Sequence, residues 1–98
     1  MTGTTQWTAE RALVAARNSD ESGFAWRAND ADPAAEAHQF PTSGPWMNSR
    51  CGQVRYTVRW WRSQGRPRCR ECAWLSEAAI EREAAAILAV AAREAVAP

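Results

Sequence analysis

The chain has 98 residues and 46% of them are hydrophobic, but 21 are alanine, so a large apolar core is excluded. A unit this small ordinarily needs a disulfide, a metal or a partner chain to offset the entropy lost on folding. The formal charge of +1 conceals a segregation: residues 1–39 and 71–98 each carry a net −3, while residues 40–70 hold seven Arg and no acid.

All twelve cations are Arg and none is Lys, which fits a GC-rich coding background. No apolar run approaches the ~18 residues of a membrane span, and Met1–Thr5 has neither a charged nor an apolar leader segment. The expectation is a cytoplasmic protein with no membrane partner. An odd count of three Cys argues against a closed disulfide framework, and in a reducing compartment it points to metal or redox chemistry.

Thr8 before Ala9–Arg17 predicts a capped helix, with Trp7 and Ala12 at the positions of a hydrophobic staple and Asn18–Gly23 ending it. Residues 23–37, broken by Pro33, show no sustained period and read as loop. A short strand is expected around His38–Pro41, and Thr42–Pro45 is a turn. In Val54–Trp60 the residues Val54, Tyr56, Val58 and Trp60 alternate with Arg55, Thr57 and Arg59, predicting a strand with one packed and one basic face.

From Ala73 to Val96 there is neither Gly nor Pro, which predicts a long helix. Its apolar stripe is Ile80, Ala84, Ile87, Ala91 and Ala95, widened by Trp74, Ala78, Ala85, Leu88, Ala92 and Val96. Trp60 and Trp74 are expected in the core, as large side chains in an alanine-rich domain. The predicted fold class is a small zinc-stabilised α+β domain with an N-terminal helix, a short β-hairpin and a long C-terminal helix. It divides into an N-terminal helix and loop, residues 1–36, and a zinc-binding module with the long helix, residues 37–98.

Cys69 and Cys72 form a CxxC at the start of that helix, where two thiolates converge and free amides favour their charge. A tetrahedral zinc site needs two further ligands. Cys51, followed by a turn-forming Gly52, and His38, the only histidine, complete the set. The simpler alternatives are an ordinary half-buried His38, a buried apolar Cys51 and a redox CxxC, although the last needs a larger α/β scaffold. An iron–sulfur cluster would ordinarily take four Cys. Three thiolates on Zn2+ carry about −1 net charge, which Arg50, Arg68 and Arg70 stand near enough in sequence to offset.

His38-Gln39-Phe40, Ser49-Arg50-Cys51-Gly52 and Arg68-Cys69-Arg70-Glu71-Cys72 leading into a helix resemble the small His/Cys zinc-finger proteins of high-GC actinobacteria. The resemblance spans residues 37–75 and implies His38, Cys51, Cys69 and Cys72 as metal ligands, with no catalytic activity. The WhiB-like group is a poorer match, since it uses four Cys and a Gly-Trp turn that this chain lacks.

The basic block interleaves Arg50, Arg55, Arg59, Arg62, Arg66, Arg68 and Arg70 with Tyr56, Trp60 and Trp61, a mixture able to hold phosphates and stack bases. The expected function is therefore a non-enzymatic zinc-finger module binding DNA or RNA through Arg50, Arg55, Arg59, Arg62, Arg66 and Trp61. The alternative is a regulatory adaptor that docks on another protein, or as a homodimer, through the C-terminal helix and exposed Trp. The simpler reading makes these Arg the solvent face of an amphipathic strand in a Lys-free protein, some of them pairing with the acidic flanks. With His38 a ligand, no Ser/His/Asp set can be assembled and there is no Gly-rich phosphate loop, so no small-molecule substrate is expected.

Overall fold

The computed structural model describes residues 6–29, 35–43, 48–55, 60–62 and 65–96. Among them the chain forms helix α1 (Ala9–Gly23), strands β1 (Phe24–Asn29), β2 (His38–Pro41) and β3 (Trp60–Arg62), and helix α2 (Arg70–Val96). The α+β class, the N-terminal helix, a hairpin and the long C-terminal helix are as the sequence predicts.

Thr8 caps α1 in extended conformation, its hydroxyl accepting from the Arg11 amide at 3.1 Å. The helix does not stop at Arg17. It runs through the turn-prone Asn18–Gly23 segment because that stretch has tertiary partners: Asp20 is held by Arg50 and Ser76. Ser22 in addition donates back to the Asn18 carbonyl.

Residues 23–37 are not all loop, since β1 occupies Phe24–Asn29 and pairs antiparallel with β2, Phe24 opposite Pro41 and Arg27 opposite His38. The alternation was masked by Ala25 and Ala28; Phe24, Trp26 and Ala28 share one face by the two-residue period. β3 pairs antiparallel with the other edge of β1, giving the sheet order β2-β1-β3. This is shorter than the strand predicted over Val54–Trp60. Arg55 makes only an isolated bridge to Asn48, Trp60 opens β3, and residues 56–59 lie outside the described residues.

The core is a helix pair. Ala12 and Ala16 of α1 meet Ile80 and Ala84 of α2, with Ile87 and Leu88 packed alongside. The order of contacts, Asp20 with Ser76 and Ala12 and Ala16 with Ile80 and Ala84, makes the helices antiparallel. Alanine on both surfaces lets the axes approach closely, and Ile80 supplies the fully buried aliphatic side chain among the described residues of the pair, worth about 2 kcal/mol of burial.

On α2 the buried positions Cys72, Ser76, Ile80 and Ala84 follow a strict i, i+4 spacing. Trp74 lies about 200° around the helix from Cys72 and is 67% exposed, so it is not a core residue as expected. The segments 1–36 and 37–98 share this helix pair and the β1–β2 ladder. No helix among the described residues is long and apolar enough to cross a membrane.

Candidate metal centre

Three chain segments deliver four metal-binding side chains to one point. β2 brings His38, buried like its neighbours Gln39 and Phe40. A tight turn brings Cys51: the Gly52 amide donates to the Ser49 carbonyl at 2.8 Å, and Gly52 takes a positive φ of 78° that a side chain would oppose. The start of α2 brings Cys69 and Cys72. Cys69 precedes the helix, its carbonyl accepting the first helical bond from Ala73, and Cys72 lies within the first turn.

Backbone hydrogen bonds lock these segments on either side of His38. The Arg50 amide donates to the Gln39 carbonyl and the Cys69 amide to the Ala37 carbonyl, at 2.7 and 2.8 Å. The Ala37 amide in turn donates to the Pro67 carbonyl at 2.7 Å. The two cysteine-bearing segments thus flank β2 one residue before and one residue after the histidine.

The ligand atoms of His38, Cys51, Cys69 and Cys72 all lie within 4.8 Å of one another. His38 Nδ1 is 3.4 Å from Cys51 Sγ and 3.8 Å from Cys72 Sγ. Zinc–sulfur and zinc–nitrogen bonds of ~2.3 and ~2.0 Å give tetrahedral edges of about 3.8 Å between sulfurs and about 3.5 Å between sulfur and nitrogen. The donor set therefore fits a tetrahedral ion with an adjustment of about 1 Å in the farthest pair. All three cysteines are free thiols.

Hydrogen-bond donors aimed at Cys51 and Cys72 favour their anionic form, and burial opposes it. The Gln39 amide donates to Cys72 Sγ at 3.4 Å, and Ser49 Oγ is hydrogen-bonded to Cys51 Sγ at 3.1 Å. Burial raises the Cys51 thiol, but donation from Ser49 and the Gln53 backbone, together with the other two thiols, holds it below its ordinary value. Burial pushes the Cys72 thiol up to about 12 against its backbone donors, and charge on Cys51 adds to the rise. One thiolate thus makes the next harder to form, and a divalent cation reverses that sign. Burial also lowers the His38 pKa, against the pull of Glu36, which keeps the imidazole neutral and able to donate a lone pair.

Behind the ligands lies a buried polar network that sequence reasoning did not identify. Arg50 grips Asp20 through two bonds of 2.6 and 3.0 Å and reaches Gln39 Oε1 at 3.0 Å. Ser76 donates to Asp20 at 2.6 Å. Burial raises Asp20, yet Arg50, Ser76 and the more distant Arg17 together bring its carboxyl below the usual range. The one signal for this in the chain is the pairing of an acid in the acidic N-terminal segment with an Arg of the basic block.

The predicted nucleic-acid contacts fare differently. Arg50 has a side chain only 10% exposed and ion-paired to Asp20, so the structure draws it into the interior. Arg66 is half-buried and donates to the carbonyls of Ala35 and Asn29, so it too is drawn into the fold. Arg55 is exposed. Arg59 lies outside the described residues, as do the side chains of Trp61 and Arg62. Of the residues named to balance the metal site, Arg68 and Arg70 are exposed, and Arg68 lies over the Trp26 ring at 4.7 Å.

Comparison with family models, curated proteins and solved structures finds no match to this chain.

Proposed function

We infer that the chain is a non-enzymatic binding module whose fold is completed by one structural Zn2+ held by His38, Cys51, Cys69 and Cys72. The observation that carries this is the convergence of four donor atoms of a known structural ligand set within 4.8 Å. Four protein ligands leave a tetrahedral ion no open position for water or substrate, which is why no catalysis is assigned. Soft thiolate and imidazole donors favour zinc over magnesium or calcium, and free thiols are retained in a reducing cytoplasm. The likeness to small actinobacterial His/Cys zinc-finger proteins belongs to the same proposal.

For the partner we propose nucleic acid, supported by an acid-free stretch of seven Arg in which Arg55, Arg68 and Arg70 are exposed. Docking on a protein through α2 is favoured by a different observation, the exposure of Trp74 and Val90. Ionic strength separates the two. Binding of a fluorescent oligonucleotide should weaken steeply with salt, and Arg55→Glu with Arg59→Glu should abolish it. Salt-independent association, or retained binding by the double variant, would discard the nucleic-acid assignment.

A further inference from the structure

Two residues that immediately precede ligand cysteines do the same thing. Arg50, before Cys51, places its guanidinium 3.8 Å from the centroid of Phe24. Arg68, before Cys69, stands 4.7 Å above the ring of Trp26. Phe24 and Trp26 are two residues apart on β1 and so occupy one face of the strand. β1 itself supplies no metal-binding side chain, yet both segments that bring Cys51 and Cys69 to the centre are stacked on it.

We propose that Phe24 and Trp26 are positioning residues for the metal centre, a two-ring platform that seats Arg50 and Arg68 and so fixes the separation of Cys51 and Cys69 in the folded chain. The proposal rests on the four-ligand centre described above. The backbone supports it: Arg50 and Cys69 donate to the carbonyls of Gln39 and Ala37, so each cysteine-bearing segment is held to β2 by its main chain and to β1 by its arginine. Such double attachment leaves His38 between two fixed points. A cation over an aromatic face is attracted by the ring quadrupole, and a planar guanidinium stacks where an ammonium would not. Groups that orient metal ligands from outside the coordination sphere typically change metal affinity 10–100-fold when removed.

The test uses the full chain and Co2+, whose visible ligand-field bands report the geometry of its site. Phe24→Leu and Trp26→Leu should bind Co2+ about 10-fold more weakly in chelator competition. Their band positions should match wild type, because the four ligands are unchanged. Phe24→Tyr and Trp26→Phe, which keep a flat ring, should restore most of the affinity. Arg68→Gln alters an exposed side chain, leaves the helix pair intact and should give the same loss as Trp26→Leu. Ile80→Val loosens the core far from the cysteines and should leave cobalt affinity unchanged.

Wild-type affinity in the Leu variants and in Arg68→Gln would overturn the platform. An equal loss in Ile80→Val would also overturn it, because affinity would then merely follow overall stability. If wild type itself shows no tetrahedral cobalt spectrum, the four-ligand centre fails, and that failure is distinct from a wild-type site indifferent to the two rings.

Discussion

The two ends of α2 are built on opposite plans. At its start the helix contributes Cys72 to the candidate centre, with Cys69 immediately before its first residue, and Ser76 follows with a bond to Asp20. At its far end, past Leu88, it presents Ala, Val90 and a few charged residues, with Val90 43% exposed. α2 is about 40 Å long against about 22 Å for α1, so its antiparallel neighbour covers little more than half of it. Specific interactions are therefore concentrated where three segments meet, and helix propensity alone maintains the rest. A short, alanine-rich chain cannot give every region a core, and this one gathers its polar and sulfur contacts around the candidate metal centre.

The largest test of that contrast is removal of the ion. Apparent binding free energies of structural zinc are about 10 kcal/mol or more at neutral pH, comparable with the whole stability of a small domain. Cys72→Ser, or a strong chelator, should melt the β1–β2 hairpin and its surroundings. Circular dichroism should then show residual helix and lost cooperativity. Acidification should act in the same direction. His38 has a folded pKa below its ordinary 6.5, so the unfolded chain takes up the proton more readily. Stability is thus full above about 6.5 and falls as pH drops through the depressed value, and protons compete with the metal for the thiolates over the same range. A midpoint unchanged between pH 7.5 and 5.5, in protein shown to hold zinc, would contradict this account.

The ligand set was legible in the sequence because it needs only residue types: three Cys, a single His and a CxxC at a helix start. What holds the set together was not legible. Phe24 and Trp26 sit in a segment whose alternation is blurred by alanine, and Asp20 sits in a run that reads as a helix terminator. Both acquire their roles from contacts with residues far along the chain, 26 positions from Phe24 to Arg50 and 30 from Asp20 to Arg50. Trp74 shows the reverse error. A large aromatic in a small domain was assigned to the core, but helical phase turned it outward.

The next test concerns Asp20, which joins the helix pair to the metal end. Its carboxylate and the Arg50 guanidinium are 8% and 10% exposed, in contrast to Arg17 and Glu77, whose ion pair is about half exposed on each side. Removing one partner of a buried pair leaves an uncompensated charge, so Asp20→Ala should destabilise by about 3–5 kcal/mol. Glu77→Gln should leave the unfolding midpoint unmoved. Asp20 has a lowered pKa, so its contribution is present above the ordinary value of 3.8 and is lost as pH falls through the folded value. Asp20→Ala should therefore flatten the acid limb of the stability profile below pH 4. An acid limb identical to wild type would place the proton uptake elsewhere.

A similarly small effect should come from deleting residues 91–98, at the far end of α2. Ala91 is half-buried, and Ala92, Arg93, Glu94 and Ala95 are exposed. If nothing but helix propensity holds them, the deletion should change stability by less than about 0.5 kcal/mol, the usual range for surface changes. Far-ultraviolet helicity should fall in proportion to the residues removed. A larger loss would mean that the far end has a partner in solution. Sedimentation of the intact and shortened chains distinguishes a second copy, whose loss halves the mass, from an unchanged monomer. Ala91, half-buried beyond Ile87 and Leu88 where these two pack against the helix pair, and the exposed Val90 beside it would then be the surface to examine.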